Sequence, residues 1–273
     1  MTPTWYGDAP PPDMPPPGPA GWARIVLRGV PLLCLVLGGL VLMLLLRLIE
    51  RPVFGEKRPV TPFITVFVCR NALRLLGIRL RVTGQVTQGQ GGVVTNHSSW
   101  LDIFVLNAVK RIYFVSKAEV AGWPGIGWLA RATGTVFIER SRAQAARQAD
   151  LFRTRLSVGH RLLFFPEGTS SDGRSVLPFK TTLFAAFYAE ELRDTLAVQP
   201  VTLIYHAPEG QDPRFFGWWG DMTFGGHFLH VLAYGGGGAA DIVCHPPLKV
   251  RDFDNRKSLA AACEAAVRSA HSG

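Results

Sequence analysis

The chain has 273 residues, of which 48% are hydrophobic and only 18% are charged, and its formal net charge is +9. This length suits one α/β domain of about 190 residues with accessory segments, and the high apolar fraction indicates contact with a membrane. The basic residues are spread along the chain without an arginine-rich arm, a zinc-finger spacing or an RNA-binding aromatic signature, which argues against a nucleic-acid partner.

The first 22 residues form a segment of their own. They contain eight of the chain's 20 prolines, and proline can neither continue a helix nor donate to a β-ladder. We therefore predict that residues 1–22 are a proline-rich disordered tail.

An apolar run follows from Gly29 to Leu46, with no charged residue in 18 positions. As a helix it would be about 27 Å long, which is borderline for crossing the hydrocarbon core. A signal peptide is the alternative, but the run starts late and lacks a small-residue cleavage site. We predict an uncleaved membrane anchor. More basic residues follow this run than precede it, which favours a cytoplasmic location for the rest of the chain.

A second apolar segment, PFITVFVCRNALRLLGIRL, carries Arg70 and Arg74 four positions apart. On a helix these two arginines lie on one side, which is typical of an amphipathic helix. Such a helix either lies in the membrane interface or packs on the domain, and the sequence leaves both open. Residues 23–80 are thus predicted to comprise the anchor and an amphipathic helix.

Residues 81–273 alternate between strand-like and helix-like stretches, which predicts an α/β domain with a largely parallel sheet flanked by helices. The strand candidates are GGVVTN, IYFVSK, GTVFIER, RLLFFPEG, VQPVTLIY and ADIVCHP, and the helix candidates are Trp100–Val109, Ala143–Val158, Phe179–Leu192 and Arg256–Ala270.

The stretch VVTNHSSWLD places His97 between a strand end and a helix start. His97 and Asp102 would face different ways on one straight helix, but they can meet if His97 lies in the turn before it. An Asp that accepts from one imidazole nitrogen leaves the other free to take a proton, which is general-base chemistry. The alternative is structural, because Ser99-x-x-Asp102 also has capping-box spacing. The residues of this stretch alone do not decide between the two.

Four stretches together resemble the motifs of the glycerolipid acyltransferase family, in the family's order. NHSSWLD resembles the first motif, GTVFIER the second, FPEGTSSDG with the trailing Phe179-Lys180 the third, and VQPVTL the fourth. The resemblance extends over roughly 190 residues. It implies an O-acyltransferase that moves a fatty acyl group from acyl-ACP or acyl-CoA to the hydroxyl of a lyso-lipid in the membrane, without a bound cofactor or metal.

The resemblance also implies roles for individual residues. His97 is implied as the base, Asp102 as the group that orients it and Arg140 as the ligand of the acceptor's anionic head group. The remaining substrate-binding candidates belong to the third motif and are Glu167, Gly168, Thr169 and Lys180.

One departure from the family pattern bears on the acceptor. The third motif commonly continues Glu-Gly-Thr-Arg, but here Ser170 follows Thr169. Loss of that Arg removes a phosphate ligand, so 1-acylglycerol-3-phosphate and the phosphate-free lyso-ornithine lipid both stay open as acceptors. The aromatic run RFFGWWGDM also resembles the lyso-ornithine lipid branch of the family.

The sequence is also compatible with two other functions. A membrane-bound lipid esterase or thioesterase is one alternative, although no G-x-S-x-G turn occurs. A catalytically silent membrane-binding module is another. His227 and His230 have the spacing of two ligands on one helical turn, but no third ligand is near them in the sequence, and we predict no metal site. The four cysteines form no C-x-x-C pair and are predicted to be reduced thiols.

Overall fold

The computed structural model describes residues 4–87, 90–138, 145–188 and 190–271. At its centre is a sheet in the order β1-β7-β6-β2-β5-β3-β4, with β8 paired to β6. Neighbouring strands are parallel, except that β6 is antiparallel to both β7 and β8. The prediction of a largely parallel α/β sheet is confirmed. The strands are β1 Arg79–Gly84, β2 Gly91–Thr95, β3 Tyr113–Lys117, β4 Val136–Ile138, β5 Arg161–Phe164, β6 Ala197–His206, β7 Ala239–Cys244 and β8 Leu248–Lys249.

Helices cover both faces of this sheet, as is usual for a largely parallel sheet. As a result β2 and β5 are buried along their whole length. One core contains side chains of α1, α2, α3 and α7. The core on the other face contains side chains of α5, α8 and the 3-10 helix Thr181–Tyr188. The helices are α1 Pro19–Phe54, α2 Thr61–Leu76, α3 Asp102–Val109, α4 Ile126–Thr133, α5 Ala145–Ser157, α6 Glu190–Arg193, α7 Phe224–Tyr234 and α8 Arg256–His271.

Helix α1 is longer than the apolar run that predicts it, and within the described residues it alone is long and apolar enough to cross a membrane. It does not stand away from the domain. Near its start, Arg28 Nη1 donates to Leu232 O at 3.0 Å. Just beyond its end, Arg58 Nη1 donates to Ala132 O at 3.0 Å. Both ends of a helix about 54 Å long therefore contact one domain.

Helix α2 packs on the sheet through one face and exposes the other. Cys69, Leu73 and Leu76 are buried, whereas Phe63 and Phe67 are more than half exposed. The amphipathic character predicted for this segment is present, and the buried face belongs to the domain core.

The described part of the proline-rich segment is placed against the domain, and its predicted disorder stays a prediction. Residues 4–18 contain no helix or strand, as their prolines predict, but they lie against the segment 214–222. Gly220 N donates to Trp5 O at 3.1 Å, and Arg214 Nη1 donates to Pro10 O at 2.9 Å. Aromatic side chains take part in this contact, since the ring centroids of Trp5 and Trp219 are 6.4 Å apart. Helix α1 also begins at Pro19, inside the predicted tail.

Candidate active site

The site begins where β2 ends, at Asn96. The buried Asn96 side chain pairs with the neighbouring strand β6, because its Nδ2 donates to Leu203 O and its Oδ1 accepts from Leu203 N, both at 2.8 Å. This side chain takes over the pairing with β6 after the last backbone pair of β2. It thereby fixes the position from which the chain turns toward His97.

His97 and Asp102 are in direct contact. His97 Nδ1 lies 2.7 Å from Asp102 Oδ2, with His97 in the turn before α3 and Asp102 as the first residue of that helix. The imidazole ring stacks on Phe165, with ring centroids 3.9 Å apart. The His97 side chain is 22% exposed, whereas Asp102 is fully buried. The imidazole is thus held by the Asp102 carboxylate and the Phe165 ring, and part of it is exposed to solvent.

Asp102 is held by four donors, which explains how a buried carboxylate is accommodated. Its Oδ2 also accepts from the backbone N–H groups of Ser98 at 2.8 Å and Ser99 at 3.2 Å. Its Oδ1 accepts from the Tyr205 hydroxyl at 2.8 Å. Burial and the adjacent Asp102 raise the pKa of Tyr205 well above its ordinary value, so the phenol is a neutral donor. With the carboxylate as acceptor, the Nδ1–H tautomer of His97 is favoured and Nε2 is left to accept a proton.

Glu167 supports the same turn from the other side. Its Oε2 accepts from His97 N and its Oε1 accepts from Leu177 N, both at 2.8 Å. Burial raises the pKa of this carboxyl to about 8, although the two backbone donors act in the opposite direction. Because its side chain is turned inward, Glu167 contributes to the site by positioning His97 and by the backbone of its turn.

The rest of the third motif forms a wall beside His97. Ser171 N donates to His97 O at 2.9 Å. Ser170 Oγ donates to Trp218 O, and Trp218 N in turn donates to Ser98 O at 2.8 Å. The aromatic run predicted from the sequence therefore touches both the third motif and the turn that carries His97.

Three of the other predicted substrate residues lie on the loop that follows β5. Gly168 is in the left-handed region at φ +75°, where its N–H closes a turn to Phe165 O at 3.1 Å. Thr169 and Lys180 are half-buried on the same loop, and Lys180 N donates to Pro166 O at 2.8 Å. Arg140 lies outside the described residues.

His227, one of the two histidines that have the spacing of metal ligands, has a structural role. Both are buried on α7. His227 Nδ1 accepts from Trp100 Nε1 at 2.8 Å, and its Nε2 lies 3.1 Å from Phe215 O. Burial lowers the pKa of His227 to about 4, so the ring is neutral and uses both nitrogens. Across the described ranges no three His, Cys, Asp or Glu side chains are grouped to hold a metal ion.

This arrangement is suited to removing a proton from a hydroxyl. The imidazole has a fixed tautomer, a buried carboxylate that stabilises the imidazolium, and a face open to a substrate. Tyr205 and Asn96 were missed by sequence reasoning, since their partners are more than a hundred positions away. Asn96 stands in the first motif, directly before His97, which was the available signal.

Comparison with known proteins gives one family and several relatives. The family model described as "Acyltransferase" matches residues 79–204. The chain is 59% identical to the lyso-ornithine lipid O-acyltransferase of Rhodobacter capsulatus, over 98% of this chain and 96% of that protein. It is 38% identical to the lyso-ornithine lipid O-acyltransferase of Brucella abortus, over 74% of this chain and 79% of that protein.

Two further similarities concern proteins with a different acceptor in their names. The 1-acyl-sn-glycerol-3-phosphate acyltransferase of Neisseria gonorrhoeae is 39% identical, over 42% of this chain and 46% of that protein. The crystal structure of the 1-acyl-sn-glycerophosphate acyltransferase of Thermotoga maritima has a TM-score of 0.55 at 20% identity, covering 89% of this chain and 96% of that one. At this identity the structural likeness supports the fold alone.

Proposed function

Because the chain belongs to the acyltransferase family and is a membrane-associated enzyme that acts on lysolipids, we propose that its acceptor is lyso-ornithine lipid. The observation that carries this choice is the nearly full-length similarity to lyso-ornithine lipid O-acyltransferases. The contact of Ser170 with Trp218 supports it. Where the family commonly has an Arg suited to a phosphate, this chain has a serine whose hydroxyl donates to the aromatic run.

In the proposed reaction His97 is the general base. Its Nε2 takes the proton of the acceptor hydroxyl as the oxygen attacks the carbonyl carbon of an acyl thioester. The C–S bond then breaks, the ester is formed, and the leaving thiolate takes the proton from the imidazolium. Asp102 orients the ring and stabilises its charged form. The thioester of acyl carrier protein or of coenzyme A is the proposed donor.

The third motif and Arg140 are proposed to hold the substrates. Within the described parts of the chain, the backbone N–H groups of Thr169 and Ser170 make no hydrogen bond, and we propose these two amides of the loop as donors to an anion or to the developing oxyanion. Lys180 adds positive charge to the loop. Arg140 is proposed to bind the carboxylate of the acceptor, for which a guanidinium fork is well matched.

The proposed location is the cytoplasmic side of the bacterial inner membrane. Arg47, Arg51, Lys57 and Arg58 follow the apolar run of α1, and basic residues beside an apolar segment are attracted to the anionic lipids of the cytoplasmic leaflet. All four cysteines are free thiols, as is usual in a reducing compartment.

The acceptor is tested by offering lyso-ornithine lipid and 1-acylglycerol-3-phosphate separately to the purified full chain in detergent, with a labelled acyl donor. We expect transfer to lyso-ornithine lipid, with a higher kcat/KM than for the phosphate-bearing lipid. A preference for 1-acylglycerol-3-phosphate contradicts the proposed acceptor while leaving the acyltransferase activity intact.

The two other functions considered for this sequence are not favoured, because the relatives that cover most of the chain are named acyltransferases. Release of free fatty acid in the absence of an acceptor would be the sign of an esterase. The same assay, with the acceptor left out, measures it.

A further inference from the structure

A cavity of about 290 Å³ lies at the end of the sheet opposite His97. Strand β5 begins at Arg161, in the wall of this cavity, and its other end leads into the loop of Glu167. The length of the strand, roughly 13 Å, therefore separates the cavity from the turn of His97. Five cationic side chains line it: Lys57, Arg58, Lys110, Arg111 and Arg161.

Among the described residues that line this cavity, five are cationic and none is acidic. Burial, with a further contribution from the like charges of Arg161 and Arg111, lowers the pKa of Lys110 to about 8. Two acidic residues, Glu50 and Glu56, act on the cluster through Arg58. Glu50 is already engaged, because its Oε2 accepts from Arg47 Nη1 at 3.2 Å and from Thr61. An anion in the cavity would relieve the repulsion that remains.

Arg58 is held in the cavity wall by an unusual backbone. It is the one non-glycine residue of the described chain with a positive φ, at +48°. Its Nε is buried and has no hydrogen-bond partner in the parts of the chain that the structure describes. A strained conformation and an unsatisfied buried donor are both features of positions that hold a ligand.

The cavity lies where the apolar helices meet the domain. Lys57 and Arg58 directly follow α1, and the Arg111 guanidinium lies 4.5 Å from the ring centroid of Phe63 on α2. Trp128 of α4 is 71% exposed, and α4 packs against both α1 and α2. Exposed aromatic rings beside basic residues are typical of the level at which lipid head groups lie.

We propose that this cavity binds the phosphate head group of an anionic phospholipid from the bilayer in which the enzyme is embedded. Guanidinium forks and ammonium groups are matched to phosphate oxygens. The volume exceeds that of a phosphate ion and leaves room for the glycerol attached to it. The lipid chains would extend along the exposed apolar side chains of α1 and α2. This site is independent of the acceptor proposed above, because it lies away from His97.

The test is binding of the purified full chain to vesicles of phosphatidylcholine with and without phosphatidylglycerol, measured by co-sedimentation. We expect tighter binding when phosphatidylglycerol is present. The double variant Lys57→Ala/Arg111→Ala, which changes two exposed side chains, is expected to weaken that binding by roughly 30-fold. The matched control is Arg256→Ala/Lys257→Ala, which removes the same charge from exposed positions at the start of α8, on the other face of the sheet, and is expected to retain most of the binding.

Two results would overturn the proposal. An equal loss in both double variants would mean that overall charge, and not the cavity, attracts the membrane. Binding of inorganic phosphate that is lost in Lys57→Ala/Arg111→Ala, without any preference of the wild type for vesicles that contain phosphatidylglycerol, would mean that the site takes free phosphate instead of a lipid. Neither result bears on acyl transfer to lyso-ornithine lipid, which is measured separately.

Discussion

Asp102 performs two tasks that the sequence presents as alternatives. Its Oδ2 accepts from the N–H groups of Ser98 and Ser99, as a capping carboxylate does, and the same oxygen contacts His97 Nδ1. The carboxylate half of the predicted capping box is therefore present together with the His97 contact, whereas the Ser99 hydroxyl makes no hydrogen bond among the described residues. The bonds that shape the turn also bring the imidazole to the carboxylate.

His97→Ala is expected to lower kcat by about 10²–10⁴-fold, because the acceptor hydroxyl loses its base. Association with vesicles should be unchanged, since α1 and α2 are untouched. The measurement is steady-state transfer together with vesicle co-sedimentation. His206→Ala serves as the control, since His206 is exposed at the end of β6 and lies 2.9 Å from Asp241. Full activity in His97→Ala would exclude the proposed mechanism.

Tyr205→Phe is expected to lower the free energy of unfolding by about 1–3 kcal/mol, since Asp102 Oδ1 loses its hydrogen bond inside the protein. It should also lower kcat without a matching change in KM, because the carboxylate that orients His97 is less firmly held. Denaturant unfolding and kinetics measure the two effects. Tyr188→Phe is the matched control, as its hydroxyl donates to Phe253 O at 3.3 Å on the other face of the sheet. Equal losses in both variants would count against a specific role for Tyr205.

The Glu167 carboxyl predicts a pH dependence of stability. Its pKa of about 8 in the folded chain is above the value of about 4.3 expected when unfolded, so the folded state binds the proton more tightly. The stability that this group contributes is complete below about pH 4 and is lost as the pH rises toward about 8. We expect the melting temperature to fall across this range in the wild type.

Glu167→Gln should lack that part of the slope, because the amide does not titrate. It is also expected to be less stable throughout, since Gln offers one acceptor where the carboxyl serves two N–H donors. Glu209→Gln, at an exposed position, is the control and should keep the slope. An unchanged slope in Glu167→Gln would show that other groups cause the pH dependence.

At the scale of elements, the strands that carry the motifs were the most predictable parts. β2 contains a β-branched run after two glycines, β5 is an apolar run that Phe165-Pro166 follows, and both strands are fully buried. The segment 179–192 was predicted as one helix but forms the 3-10 helix Thr181–Tyr188 and the short α6. In a 3-10 helix residues three apart align, and this brings Phe184 and Phe187 together against Phe164.

β1 and α7 are among the elements that the sequence does not predict, and in both the reason concerns their surroundings. β1 is a mostly exposed edge strand with two arginines, and it pairs with β7 from the far end of the chain. α7 contains Gly225 and Gly226, which lower helix propensity. It begins nonetheless at a cap, in which Thr223 Oγ1 accepts from Gly226 N at 3.3 Å. Its buried side chains then provide the stability that local propensity does not.

The position of α1 predicts that it lies along the membrane surface and does not cross it, because both of its ends contact one domain. We expect cysteines at Ala20 and Arg51, introduced separately with Cys34→Ser, to react from the same side of a sealed vesicle with a thiol reagent that does not cross the membrane. These exposed positions are about 47 Å apart along the helix. Asp254→Cys marks the side of the domain. Reaction of Arg51→Cys alone would show that α1 spans the bilayer, as the sequence predicts.

At the scale of the whole molecule, the proline-rich segment ties the start of the chain to the aromatic run beside the site. We expect removal of residues 1–12 to lower the melting temperature by a few degrees, since a loss of 1 kcal/mol shifts it by roughly 2–4 °C in a domain of this size. Limited proteolysis should then cut the segment 207–222 faster. Trp5→Ala isolates the ring contact with Trp219, and unchanged protection after both changes would mean that the segment is not bound in solution.

How much of the site follows from the sequence depends on sequence separation. The pair His97 and Asp102 is five residues apart, so a turn before α3 can bring them together, and the resemblance to the family's first motif favours that pairing. Tyr205 reaches Asp102 across 103 positions, and Trp218 reaches Ser170 across 48. These contacts arise from the order of strands in the sheet and from the packing of a loop. Neither is encoded in local periodicity.

Gly134, the first residue of the second motif, shows how a motif residue can be misread in a mutational scan. Its φ is +85°, and Arg58 Nη1 lies 2.6 Å from where a Cβ atom would be, so any side chain there both strains the backbone and displaces the guanidinium. Arg58 lines the cationic cavity, which lies at the end of the sheet opposite His97. Loss of function at Gly134 is therefore not evidence that this residue touches a substrate, and conservation of a motif can record the needs of two separate sites.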